Sequence, residues 1–265
     1  MHIMVLNLDA CESHLPAALS PKLVLFVRGG VSVVQADGTL VRRPRFLLSG
    51  PYMAPRRSIS NPDTMSISVM FRPGLLQEGL GISSADINSR FLQMRDIADS
   101  SRVDQLLSDM DEERPIAEYV RLFQEFLLAT LNLSHKKSIG AAFLAAHQKM
   151  FMPLIDIALY FGVGERQLER RVRQVFGVTL REVRHMSRFA LTLQHLLKQP
   201  VAWGDLTHIA HESGYYDQAH MHREFVEMSG LPPIQLLQKI ASDDPAYWAY
   251  RVTPADFQKL FIPVD

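Results

Sequence analysis

The spacing of apolar residues changes period near Ser100, and that change divides the chain. Before it, Leu23 to Gln35 is rich in β-branched residues and is broken at Gly29-Gly30. Asp37-Gly38 is a hairpin signal ahead of Thr39-Leu40-Val41, and Phe46-Leu47-Leu48 and Met65 to Phe71 supply further short strands. Pro44, Gly50-Pro51, Pro55, Asn61-Pro62 and Pro73-Gly74 punctuate them. After it, Val103, Leu106, Leu107 and Met110 form one helical stripe, and Ile116 to Leu131 forms a second, strongly apolar one. Within the latter, Phe123, Leu127 and Leu131 are core or a dimer seam, with core the default. Asn132 to Ser138 is the boundary this pattern suggests, with Ile139 to Met150 opening the next domain.

From Pro153 to Pro233 the chain repeats one pattern twice. Leu154, Ile157, Ala158 and Gly162 lead to Leu168, Val172 and Val175; Leu206, Ile209, Ala210 and Gly214 lead to Met221, Phe225 and Met228. The closing pairs, Gly177-Val178 and Gly230-Leu231, match as well. Each unit predicts a short helix, a tight glycine turn and a second helix with a buried stripe at i, i+4 and i+7, the pattern of a helix-turn-helix. On the outer face of the first unit's second helix lie Arg166, Gln167, Glu169, Arg170 and Arg173; Gln218, Ala219, His220, His222 and Arg223 take that place in the second unit. Arg pairs bidentately with guanine and Gln with adenine, so these residue types suit base reading. From Arg166 to Arg188 seven arginines stand against two glutamates, a basic run that would meet phosphates, Arg181 and Arg184 among them. A solvated basic helix face is the plain reading of one such run; its occurrence within a duplicated unit favours DNA.

These residues resemble the DNA-binding region of the AraC/XylS family of transcription regulators. Ile157-Ala158 and Gly162 to Val178 carry the resemblance in the first unit. In the second it is carried by Ile209-Ala210, Ser213-Gly214-Tyr215, Asp217-Gln218, Met221, Arg223 to Phe225 and Gly230 to Pro233. The resemblance implies two modules joined by a long helix, each placing its second helix in the major groove. A joining helix from about Thr179 to Lys198 would span close to 30 Å, which suits grooves one turn apart, about 34 Å. Gly164 stands where the family usually has a Ser or Thr cap. Glu165 and Glu169 would accept from cytosine or repel phosphate, and Ala219 would touch a thymine methyl or nothing. Before the repeat, Ser20-Pro21, Ser49-Gly50-Pro51 and Phe71 to Gly74 resemble the small truncated-cupin-like β-domains that precede this region in some members, implying ligand sensing or dimerisation. A lipid-like or aromatic effector would fit an apolar barrel. Arg72-Pro73-Gly74 reads equally as a turn, and Arg56-Arg57 as an anion site or, by preference, an exposed pair.

Composition narrows the classes. A hydrophobic fraction of 47% with 21% charged residues is ordinary for a globular chain of 265 residues, and the formal net charge is zero because the basic run is diluted elsewhere. One cysteine, Cys11, excludes an intrachain disulfide framework and suits a reducing compartment; its thiol reads as inert. No apolar run is long enough for a membrane span, which sets the expectation of a cytoplasmic protein without a membrane partner. His208 and His211, with His220 and His222, superficially suggest zinc spacing but do not converge, and no nucleophile elbow, Walker loop or dinucleotide fingerprint is present. The expectation is therefore a non-enzymatic regulator without cofactor or metal. Its fold would be an α+β regulatory domain over residues 1–133, then an all-α double helix-turn-helix domain over 138–240 and a tail over 241–265. Within the second domain the first helix-turn-helix falls at about 153–176, the joining helix at 179–198 and the second at 205–229. Double-stranded DNA is the expected partner, with a small effector, a second copy of the chain, or RNA polymerase for an activator. The alternative is an effector-independent DNA-binding or interaction protein whose front domain only dimerises. Either way, a fragment starting near Ser138 is expected to fold alone and bind DNA.

Overall fold

The computed structural model describes residues 2–132, 142, 147–198 and 205–251. Apart from Asn132, the expected boundary at Asn132 to Ser138 lies outside them, as do most of Ile139 to Met150 and the end of the tail.

The front region holds two antiparallel sheets. A five-stranded sheet runs β1(His2–Leu8), β8(Thr64–Met70), β3(Lys22–Arg28), β6(Phe46–Ser49), β9(Phe91–Gln93); a four-stranded sheet runs β2(Glu12–Leu15), β7(Arg56–Ser60), β4(Val31–Val34), β5(Leu40–Arg42). Period-two alternation sorts the side chains of the larger sheet. Leu23, Leu25 and Val27 of β3, Phe46 and Leu48 of β6, and Met65, Ile67 and Val69 of β8 form one buried core. That core is covered by α1(Leu75–Leu80), α2(Ser100–Asp109) and α3(Ile116–Thr130). The stripe Val103, Leu106 and Met110 meets it, and Phe123 and Phe126 meet Phe46 edge-on at 6.1 and 5.3 Å. Phe123, Leu127 and Leu131 are thus core. Arg72-Pro73-Gly74 makes the turn into α1, with Leu75 N–H donating to the Arg72 carbonyl at 3.0 Å.

The opposite face of the larger sheet carries Lys22, Val24 and Phe26 with Ser66, Ser68 and Met70. The second sheet inverts the usual pattern. In β7, Ser58 and Ser60 are buried, while Ile59 on the other face is exposed. Of the expected exposed pair, Arg57 is at the surface, but Arg56 shares the inward face with those serines and its Nε is fully buried. This corrects the reading of Arg56 as a surface residue.

Beyond residue 147 the chain is helical: α4(Leu154–Tyr160), α5(Glu165–Phe176), α6(Leu180–Lys198), α7(Asp205–Glu212), α8(Gln218–Ser229) and α9(Pro233–Ala241). The fold is thus an α+β front region followed by an all-α region with two helix-turn-helix motifs joined by a long helix. Each motif has its own apolar core, Leu168, Val172 and Val175 in one and Met221, Phe225 and Met228 in the other.

The front region touches both motifs. Ala17 lies within the second motif's core and its N–H donates to the Met228 carbonyl at 2.9 Å. Leu19 and Met53 pack against both cores. Ser84 Oγ donates to the Val175 carbonyl at 3.1 Å, and the same loop passes Gly177 so closely that a Cβ there would lie 2.5 Å from the Ser84 carbonyl oxygen. With φ at +78°, Gly177 is required twice over, by the helix end and by this contact. The tail joins in: Trp248 Nε1–H donates to Ser13 Oγ at 3.0 Å and Tyr247 stacks on His14 at 4.7 Å.

Candidate nucleic-acid interface

The duplication extends to the backbone hydrogen bonds. Val163 N–H donates to the Ala158 carbonyl at 3.0 Å and Tyr215 N–H to Ala210 at 2.9 Å, each across a left-handed glycine, Gly162 at φ +62° and Gly214 at +77°. At the far ends, Gly177 N–H donates to Arg173 at 2.8 Å and Gly230 N–H to Val226 at 2.9 Å. The second turn holds one residue more than the first, Ser213 to Asp217 against Phe161 to Gly164. The caps differ too. Asp217 accepts from His220 N–H at 2.7 Å, whereas Gly164 offers no side chain and leaves the first N–H groups of α5 free for an anion.

On α5 the buried stripe turns Arg166, Arg170 and Arg173 outward as one exposed row, with Glu169 beside it and Gln167 half-buried. None of the three arginines has an ion pair or hydrogen bond among the described residues, so all three guanidinium groups are available. On α8, Gln218, Ala219 and Arg223 are exposed and His222 is half-buried. Gln218 Oε1 accepts from Thr207 Oγ1 at 3.1 Å, which fixes its amide against α7 and leaves its NH2 outward. His220 is tied inward: its Nδ1 accepts from Tyr216 N–H at 3.4 Å and its ring meets Tyr215 edge-on at 5.4 Å. Tyr216, 84% exposed at the mouth of the second motif, is a donor the residue pattern did not single out.

The arginines of α6 divide. Arg181 is exposed. Arg184 donates through Nε to the Met150 carbonyl at 2.6 Å and also reaches that of Met152, bracing the segment before α4. Arg188 pairs through both nitrogens with Glu224, which is only 2% exposed; Nε to Oε1 is 3.1 Å. This pair ties the joining helix to α8, and it went unseen in the sequence because its two members stand 36 positions apart. His185 stands 3.9 Å from Glu224, and burial pushes its imidazole below the ordinary value in spite of that carboxylate. Glu182 is not a free charge either. It accepts from Thr179 N–H at 2.7 Å and Oγ1–H at 2.8 Å, while its own N–H donates to Thr179 Oγ1 at 3.2 Å, forming a capping box that starts α6.

Among the described residues, no three His, Cys, Asp or Glu side chains are grouped as a metal ion would need, and no helix is long and apolar enough to cross a membrane. His208 pairs with Glu212 at 3.3 Å on the exposed side of α7.

Residues 157–239 match the model of a helix-turn-helix domain family. No curated protein sequence matches the chain. Among solved structures, ToxT from Vibrio cholerae with an unsaturated fatty acid bound has a TM-score of 0.47 at 13% identity, covering 89% of this chain and 94% of that one. The AraC-like transcriptional activator CuxR has a TM-score of 0.29 at 16% identity, covering 70% and 74%. Those scores are low, and the assignment rests on the domain match together with the duplicated geometry. The region from Ile157 to Lys239 is a helix-turn-helix domain.

Proposed function

We propose that the chain is a sequence-specific transcription regulator in which α5 and α8 enter successive major grooves of one duplex. The observation that carries this is the pairing of two matched motifs, each with unpartnered donors on its outward face, at the two ends of one 19-residue helix. At 1.5 Å per residue that helix is about 28 Å long, close to one turn of B-DNA. Arg166, Gln167, Glu169, Arg170 and Arg173 are the proposed contacts of the first motif. Gln218, Ala219, His222 and Arg223 serve the second, with His220 at its edge. Arg181 is the proposed phosphate contact of α6; Arg184 lies beside it with its guanidinium already engaged by carbonyls.

The front region is proposed to modulate this binding, because it packs on both motifs at once through Ala17, Leu19 and Met53. A homodimer, and RNA polymerase contact in the case of an activator, are compatible partners. The test is the salt dependence of DNA binding. Log affinity should fall against log salt by roughly 0.9 for each phosphate neutralised. Arg181→Ala should flatten that slope by about one unit without altering site preference. Binding that ignores salt contradicts the proposal.

A further inference from the structure

Helices α5 and α8 end in the same way, and the front region takes hold of both ends at the same place. Val175 and Met228 close the matched stripes and are the second-last residues of α5 and α8. Carbonyls in a last helical turn lack an intrahelical partner. Ser84 Oγ supplies the donor to the Val175 carbonyl at 3.1 Å, and Ala17 N–H supplies it to that of Met228 at 2.9 Å. Just beyond, the matched glycines also face the front region: a Cβ at Gly177 would lie 2.8 Å from Pro51 Cγ, and one at Gly230 3.8 Å from Pro55 Cγ. The gripping segments are braced to one another. Ala18 and Tyr52 exchange both backbone bonds at 2.8 Å, Ser89 N–H donates to the Pro51 carbonyl at 2.8 Å, and Tyr52 Oη donates to the Arg90 carbonyl at 3.2 Å.

Helix α6 gives Leu180 and Val183 to one motif core and Met186, Phe189, Leu193 and Leu196 to the other. Among the described residues, the side chains that pack on both cores are Leu19 and Met53, each next to a member of the Ala18–Tyr52 bridge. A single long helix can bend and so leaves its two ends some freedom to turn. A second connection, made at equivalent points of α5 and α8, removes that freedom. We propose that this clamp is a positioning device: Ala17, Leu19, Met53 and Ser84 set the separation and relative facing of α5 and α8, and with them the half-site spacing the chain accepts. One base pair more or less moves a half-site by about 3.4 Å and about a tenth of a turn. A joining helix free to bend can follow that change; a clamped pair cannot. The inference deepens the two-groove reading and rests on it.

The test is the affinity of the full chain, at one moderate salt concentration, for a selected genomic site, for that site with one base pair inserted or deleted between its halves, and for each half alone. Wild type should lose roughly tenfold or more at either altered spacing, because simultaneous engagement of both halves is forfeited. The triple variant Leu19→Ala, Met53→Ala, Ser84→Ala should bind the altered spacings within about threefold of the natural one, while binding each isolated half as wild type does. A merely structural role would instead weaken binding to the halves and leave the spacing preference intact. Where the triple variant does not fold, Ser84→Ala alone carries the test, since it removes one donor and no apolar side chain; its loss at the altered spacings should be smaller than that of wild type. A variant with the wild-type spacing profile, or with weakened binding to the isolated halves, overturns the proposal. Wild type that binds both halves without any preferred spacing contradicts the two-groove reading, and wild type that binds no DNA contradicts the regulator reading.

Discussion

Arg170 and Arg188 carry the same charge on adjoining helices, yet their surroundings assign them opposite tasks. Arg170 is exposed and unpartnered, whereas Arg188 spends its donors on a carboxylate that is 2% exposed. Breaking one side of such a pair leaves an uncompensated buried charge and typically costs about 3 to 5 kcal/mol. Arg188→Ala should therefore lower the unfolding free energy by about that amount in a denaturant titration, with the salt slope of DNA binding unchanged in the fraction that remains folded. A variant of parental stability with a flattened slope would return Arg188 to the phosphate-binding set. The basic run was legible from residue types, but its division was not, because the partners lie far along the chain: Glu224 for Arg188, and the Met150 and Met152 carbonyls for Arg184.

At the scale of elements, the helices were the easier part to foresee. Stripes at i, i+4 and i+7 outlined α5 and α8, and they are the buried faces observed. Strand β7 was missed for a physical reason. Its single apolar residue, Ile59, faces out while Arg56, Ser58 and Ser60 face in, so the binary pattern is reversed about a polar interior. Helix α1, at six residues, is too short for a periodic signal. The Thr179 to Glu182 capping box has a sequence signature, yet in the sequence its Glu only counts against the arginines, and its bonds to Thr179 show that it is engaged. Caps also separate the two reading helices. Asp217→Ala should destabilise the second motif by about 1 kcal/mol, visible as a lower midpoint in thermal or urea unfolding; an unchanged midpoint would mean that the bond to His220 N–H contributes nothing.

For the molecule as a whole, the pattern of the chain indicates two regions but says nothing about how firmly they are joined. Ala17 sits in the second motif's core, Trp248 bonds Ser13, and the Ser84 loop closes on Gly177. A fragment starting near Ser138 still contains both motif cores and every proposed DNA contact. Cutting there exposes the apolar surface that Ala17, Leu19 and Met53 cover. The fragment should remain helical by circular dichroism and bind DNA, but melt at a lower temperature than the full chain. A fragment melting as high as the full chain would show that the interface contributes no stability, and with it the proposed route of modulation would fail.

The central claim is that two matched helices read bases. It is tested most directly by measuring the affinity of wild type, Arg170→Ala and Arg223→Ala for a selected genomic site and for single-base variants of it, at one moderate salt concentration. Each substitution should cost on the order of 1 to 3 kcal/mol and relax preference at one position, in a different half-site for each. Full affinity in both variants, or equal weakening on random DNA, would contradict the account.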